Sequence, residues 1–250
     1  MAATREQALR VETSDGCCPV TLHFPAANGR SPGVIVYMDA PRIRPALHAI
    51  AARIAAAGYA VALPDLFYRG GPYAPIDPKV VFTDPALRAE HRAQRMAGFT
   101  PEGAMADTGA LLAAMREVPA VADGPVGVVG YCLGGRLALI AAATFPDDVA
   151  VAASFHGGGL ANDAPMSPHL LAPRMRATVY VAGAVDDANF PDAMKERLAA
   201  ALTAAGVGHR VETYPAKHGW VPADTAAHDP VEAEHHWSEL IPLLDRCLKG

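Results

Sequence analysis

The sequence predicts an α/β fold: a mostly parallel central sheet flanked by helices, in one domain spanning residues 1–250. Three observations predict it. Short apolar runs alternate with stretches of helical composition about a dozen residues long, the signature of βαβ units with right-handed crossovers. Hydrophobic residues make up 51% of the chain and charged ones 19%, which supplies a large core and excludes disorder. No internal repeat, low-complexity tail or Ser/Gly linker divides the chain.

The elements follow in order. Residues 8–13 and 20–24 flank the turn-like Ser14-Asp15-Gly16 and are expected to form an antiparallel edge. Gly33-Val-Ile-Val-Tyr-Met38, bounded by Pro32 and Pro41, reads as a strand buried on both faces. Residues 46–57 have helical composition and stop at Gly58, and 59–63 form the next strand, ending at Pro64. Further strands are expected at 125–130, 149–155, 177–183 and 208–214, with helices at 102–117, 134–145, 191–205 and near 227–248. Residues 66–100 fit none of this. They are rich in Pro, Gly, Arg and Tyr, and a connection this long inside a compact domain is usually functional, so the segment is expected to form part of a substrate pocket.

Composition narrows the function. The 21 Lys and Arg against 26 Asp and Glu give a formal net charge of −5, so no general basic surface invites nucleic acid. No apolar run is long enough for a membrane span, and residues 1–10 lack the apolar core of a secretory leader. Cys17, Cys18, Cys132 and Cys247 are too few for a disulfide scaffold and have no zinc-ligand spacing, so the expected home is a reducing cytoplasm. His235-His236 are neighbours pointing to different sides of a helix, unlike a zinc-binding i, i+4 pair. No metal and no cofactor are expected. No exposed apolar helix stands out, and the expectation is a monomer.

The most informative segment is Gly130-Tyr131-Cys132-Leu133-Gly134-Gly135, which reads strand, sharp turn, helix. Gly130-x-Cys132-x-Gly134 has the form of a nucleophile elbow with Cys in the place of the commoner Ser. The nucleophile must stand on a strained turn above the sheet, so its flanks must be small enough for strand and helix to pass closely. The same turn sets Cys132 at a helix N-terminus, where the dipole favours thiolate. Two plainer readings compete. A phosphate-binding turn would need Gly where Cys132 stands, or a Gly-Lys-Ser/Thr that does not follow. Cys132 could also be a small buried hydrophobe, as free cysteines commonly are.

The rest of the chain supplies partners. Asp186-Asp187 follow the strand at 177–183, and His218 follows the strand at 208–214. Nucleophile, acid, then His is the chain order of the α/β-hydrolase triad, and each residue falls at the carboxyl end of a predicted strand, where open parallel sheets place their sites.

On these residues the chain resembles the dienelactone hydrolase (carboxymethylenebutenolidase) family, the cysteine branch of the α/β-hydrolases, from about Val20 to the final helix. The elbow hexapeptide is the most specific match; Pro64-Asp65-Leu66-Phe67 with Arg69, and His218-Gly219, resemble two further family segments. The resemblance implies an α/β-hydrolase fold and cleavage of a small ester or lactone by a Cys132–His218–Asp187 triad. Asp187 is favoured over Asp186 because the family's catalytic Asp is followed four positions later by Pro, here Pro191. The backbone N–H groups of Leu133 and Ala40 are the expected oxyanion donors, Pro41 having none. Asp39 stands where the family has a Glu that touches the resting nucleophile; an Asp there could equally cap the following helix. Arg69 matches one of the arginines that hold the substrate carboxylate in the family. The second arginine, a few residues after the His, is missing from Trp220-Val-Pro-Ala-Asp224, and Arg42 and Arg44 are the available substitutes. Tyr131 and Trp220 are expected to touch substrate or tune the site, and Tyr68 and Tyr73 to wall the pocket or pack in the core. Two alternatives stand: a carboxylesterase or thioesterase on other small acyl substrates, and a non-catalytic α/β-hydrolase scaffold with a redox-sensitive Cys132.

Overall fold

The chain opens with a hairpin in which β1 (Thr4–Thr13) pairs antiparallel with β2 (Gly16–Pro25) across Ser14-Asp15. In this computed structural model residues 3–73, 76–81 and 83–250 are described, Arg95 by its backbone alone; the remaining residues of the opening stretch and of the 66–100 segment lie outside the described residues. The strands β3 (Gly33–Tyr37), β4 (Ala60–Pro64), β5 (Val126–Tyr131), β6 (Val149–Phe155), β7 (Thr178–Ala184) and β8 (His209–Tyr214) complete an eight-stranded sheet in the order β1-β2-β4-β3-β5-β6-β7-β8. The hairpin joins antiparallel through β2 and β4, and every later pairing is parallel. This is the predicted α/β architecture, with the antiparallel edge where the turn signal put it.

Burial explains which strands were easy to read. The central strands β3, β4 and β5 are buried at every residue, so they appear as unbroken apolar runs. The outer β1 and β8 keep most side chains at least partly exposed and carry mixed sequences.

Among the described residues five helices of at least twelve residues pack on the sheet: α1 (Pro45–Ala56), α4 (Pro101–Arg116), α5 (Leu133–Thr144), α7 (Asp192–Ala204) and α8 (Pro230–Leu248). The ends of α4 and α8 differ slightly from expectation because capping chemistry sets them. Thr100 accepts the Gly103 N–H before Pro101, and Asp229 accepts from Val231 and Glu232 before Pro230, a residue that needs no donor in a first turn. The helix α5 is buried on nearly every side, and its Ala138, Ala141, Ala142 and Ala143 let it lie close to the strands.

Short helices punctuate the connections. α2 (Pro78–Val81) and α3 (Pro85–Glu90) lie in the 66–100 segment, followed by a π-helical turn at His91–Arg95, and α6 (Pro168–Leu171) follows β6. The segment is anchored from both ends: Leu66 and Phe67 are buried, and buried His91 donates from Nε2 to the Ala40 carbonyl at 2.8 Å. Among the described residues no helix is long and apolar enough to cross a membrane.

Candidate active site

The centre of the site is the turn from β5 into α5, and its shape is dictated by close backbone approach. A Cβ on Gly130 would lie 1.9 Å from the Gly134 carbonyl oxygen, and one on Gly134 would lie 2.3 Å from the oxygen of Tyr37 at the end of β3. No side chain fits at either position. The turn closes through Cys132 at φ 54°, ψ −115°, a left-handed conformation that costs a non-glycine residue about 1–3 kcal/mol. Cys132 is the N-cap of α5, so its thiol stands half-buried at the positive end of the helix.

His218 and Asp187 meet this thiol in line. The Nε2 of His218 is 3.1 Å from Cys132 Sγ, and its Nδ1 donates to Asp187 Oδ2 at 2.6 Å. Asp187 is buried and receives two further bonds on Oδ1, from the backbone and side-chain N–H groups of Asn189 at 2.9 and 3.0 Å. Asp186 points to solvent near Lys217. Burial works against charge on His218, but the hydrogen bonds and charges of Asp187 and Cys132 override it and lift the imidazole to about 10. Asp187 is held below the usual carboxylate range: burial would raise it, and His218 and Asn189 outweigh that.

The loop after β3 carries the expected second oxyanion donor. Its turn is closed by the Arg42 N–H on the Asp39 carbonyl at 3.1 Å, with Arg42 at φ 74°. The Gly134 contact presses the start of α5 against the end of β3, which brings this loop beside the first turn of α5. The N–H of Leu133, at the first helical position, has no intrahelical carbonyl to bind.

Asp39 does something neither sequence reading anticipated. Its carboxylate takes both Nη groups of Arg44, at 2.5 and 2.9 Å, and Arg44 also holds Asp224 through Nε and Nη2, at 2.7 and 3.0 Å. The helix α1 starts after Arg44 without any side-chain cap. Buried Arg42 donates to the Phe67 carbonyl at 2.9 Å and lies under the Tyr73 ring, 3.3 Å from its centroid. These two arginines are therefore engaged within the protein.

So is Arg69. It grips Asp107 with both Nη groups, at 2.7 and 2.9 Å, and reaches Asp15 through Nε at 2.8 Å. Tyr68 turns its hydroxyl to Thr13 at 2.6 Å and Asp107 at 3.2 Å, on the hairpin side of the fold. Tyr131 is in the core: it continues β5, stacks on Phe155, and donates to His236 Nε2 at 3.0 Å. Trp220 is fully buried, stacked on Tyr214 and edge-on to His156. Tyr131 and Trp220 are enclosed in the core, while Arg69 and Tyr68 are partly buried with their polar atoms bonded inside the protein.

Sequence reasoning missed His156, Asn189 and His91. His156 follows β6 at φ 41°, and its Nδ1 receives the Cys132 N–H at 3.0 Å. The available signal was position: asking which polar residue follows each buried strand would have found His156 as it found His218. A cluster with metal-ligand chemistry also lies away from Cys132, where Glu6, His23 and His48 bring ligand atoms within 4.8 Å of one another; His48 Nδ1 and His23 Nε2 are 3.2 Å apart and bond directly.

Comparison with known proteins follows the same lines. The model of the family described as "Dienelactone hydrolase family" matches residues 19–248. A protein of Synechocystis named for carboxymethylenebutenolidase is 26% identical over 229 residues, covering 90% of each chain. A carboxymethylenebutenolidase of a Pseudomonas species is 37% identical over 118 residues, 47% of each chain. A crystal structure from Klebsiella pneumoniae, described as of the dienelactone hydrolase type, superposes with a TM-score of 0.83 at 22% identity, covering 98% of this chain and 99% of that one.

Proposed function

The chain belongs to the dienelactone hydrolase family and is a carboxymethylenebutenolidase-like hydrolase; on that premise we propose that it cleaves a small ester or lactone through a thioester on Cys132. The observation that carries the proposal is the unbroken line Asp187–His218–Cys132 on a strained elbow at a helix N-terminus.

In this mechanism His218 rests as an imidazolium between two anions. The Cys132 thiolate attacks the acyl carbon, forming a C–S bond, and the oxyanion settles between the N–H groups of Leu133 and Ala40. Collapse breaks the C–O bond, and His218 Nε2 gives its proton to the departing alkoxide. Water then adds to the thioester as His218 takes its proton, the C–S bond breaks, and the thiolate returns. Asp187 keeps the ring in the tautomer that presents Nε2 to sulfur and stabilises its positive form.

The arginine pairings favour a second reading of the substrate. Arg69 and Arg44 each already hold two carboxylates, so the pocket suits an acyl group without a charge of its own. A carboxylesterase or thioesterase acting on neutral small esters fits that electrostatics better than dienelactone, which carries a carboxylate. The four free thiols fit a reducing cytoplasm, where we place the enzyme as a monomer.

The test is to assay wild type and Cys132→Ala side by side on cis-dienelactone and p-nitrophenyl acetate. The expected result is turnover of the simple ester that falls at least about a thousandfold in the variant, with the fold retained. Fast, Cys132-dependent lactone cleavage would assign the dienelactone reaction and show that the paired arginines do not prevent it. Full activity in Cys132→Ala would overturn the mechanism, and silence of the folded wild type on both substrates would favour a binding scaffold.

A further inference from the structure

Two imidazoles stand behind and beside the nucleophile, and the mechanism uses one. His218 and His156 meet edge to face with ring centroids 5.3 Å apart, and His156 meets Trp220 in the same manner at 5.0 Å. His156 is fully buried at the carboxyl end of β6, in a left-handed conformation at φ 41°. Its ring faces the elbow from behind: the Cys132 N–H is shared between the Phe155 carbonyl at 3.1 Å and His156 Nδ1 at 3.0 Å.

That bond fixes the chemistry of the ring. Accepting an N–H at Nδ1 requires a lone pair there, so the one proton of the neutral ring sits on Nε2. Among the described residues Nε2 has no hydrogen-bond partner, although it is buried. A second proton would set N–H against N–H at Cys132. Burial, first, and then the charges of His218 and His236 push His156 well below the ordinary histidine range, while His236 is itself pushed down to about 3 by burial. The adjacent rings of His218 and His156 thus differ in role, the first taking a second proton and the second staying neutral.

We propose that His156 is a positioning residue for the thiol: its Nδ1 lone pair ties the Cys132 N–H back toward β6, and its ring braces His218 against the sulfur. The bond matters because of the peptide that follows. With the Cys132 N–H held behind the elbow, its left-handed φ turns the next peptide forward and presents the Leu133 N–H toward the site. A ring of this volume without the acceptor would leave Cys132 on the Phe155 carbonyl alone and let the elbow settle, changing the Sγ–Nε2 alignment. The kinetic part of this inference rests on the proposed hydrolase mechanism; the effect on the thiol does not.

The experiment compares His156→Asn, whose Oδ1 falls near the position of Nδ1, with His156→Leu, which fills the space without an acceptor. The pH dependence of Cys132 alkylation by iodoacetamide is read by peptide mass spectrometry, with Cys132→Ala as the blank, and kcat and KM are measured on p-nitrophenyl acetate. In His156→Leu, kcat is expected to fall about 30-fold with KM little changed, and the half-maximal pH of alkylation to move by about one unit. His156→Asn is expected to lie within about threefold of wild type in kcat and to keep its alkylation profile. If His156→Leu is too unstable to assay, His156→Gln, with its amide near the Nε2 position, replaces it with the same expected split from Asn. Equal behaviour of Asn and its partner variant, or a Leu variant with the wild-type profile, would overturn the proposal. A wild type that alkylates normally yet turns over no ester would sink the hydrolase mechanism, and the alkylation comparison would still decide the role of His156.

Discussion

The two edges of the sheet are built on opposite terms. At the carboxyl edge, Arg42, Cys132, His156 and Asp186 follow β3, β5, β6 and β7, each a non-glycine residue in a left-handed backbone. At the amino edge, the left-handed positions at Gly124 and Gly206 are glycines whose missing Cβ would meet nothing within 4 Å. The glycines flanking Cys132 are the reverse case, pressed against backbone from both sides. One edge uses glycine to relax a turn. The other keeps Cys132 and His156 in strained positions and uses glycine so that strand and helix can crowd around them.

The largest expected effect separates these two uses of glycine. Gly134→Ala would place a Cβ 2.3 Å from the Tyr37 oxygen, and neither backbone can yield without opening the β3–α5 contact. It is expected to cost about 3 kcal/mol or more and to abolish activity. Gly206→Ala, at φ 69° in open space, should cost about 1 kcal/mol and leave kcat unchanged. Urea melts with parallel esterase assays check both. Equal costs would mean that the approach of α5 to β3 is looser than the structure has it.

The same contrast explains what the sequence could reveal. Strands buried on both faces, such as β3 and β5, cannot avoid being apolar runs, and the Gly-x-Cys-x-Gly turn cannot avoid its glycines, so fold class and elbow were legible. The meeting of Asp187, His218 and Cys132 was legible as chain order, because a parallel sheet puts every strand's carboxyl end on one edge. Charge pairing was not. The grip of Arg69 on Asp107, 38 residues away, and the reach of Arg44 across 180 residues to Asp224 leave no local pattern in the sequence. The short helices between residues 66 and 100 were hidden by a composition of Pro and Gly that reads as loop, and the bond of Tyr131 to His236 was hidden because a strand buried on both faces has no alternation to read.

Next in size comes the carboxyl-edge pair itself. Arg69 and Asp107 keep side-chain exposures of 11% and 2%, so Arg69→Gln strands a carboxylate that water barely reaches. A loss of about 2–3 kcal/mol is expected, with KM for neutral esters unchanged. If stability held while KM for a carboxylate-bearing substrate rose severalfold, Arg69 would be a binding residue after all, and the neutral-ester reading would fail.

The His218–Asp187 pair should also make stability at this edge depend on pH. His218 is lifted from an unfolded value near 6.5 to about 10 in the folded chain, so its stabilising contribution is complete below the first value and fades as pH rises through the second. Asp187, held low, contributes above its unfolded value near 3.9 and loses that as the pH falls through its lower folded value. The melting-temperature gap between wild type and His218→Gln is therefore expected to be widest near pH 6 and to shrink toward pH 10. A gap independent of pH would argue against a resting imidazolium.

The smallest effect belongs to the amino edge, where geometry alone would mislead. Arg30 holds Asp123 with two bonds of 2.6 Å, joining the segment before β3 to the segment before β5, and looks at least as good as the Arg69–Asp107 fork. Its side chains, however, are 50% and 82% exposed. Both ions stay solvated when the pair breaks, so no group is left stranded and salt screens what attraction remains. Asp123→Asn is expected to move the melting temperature by no more than about 1 °C, with activity untouched. A shift as large as that of Arg69→Gln would show that the fork geometry, and not burial, sets the strength of these pairs, and the distinction between the two edges would then rest on backbone strain alone.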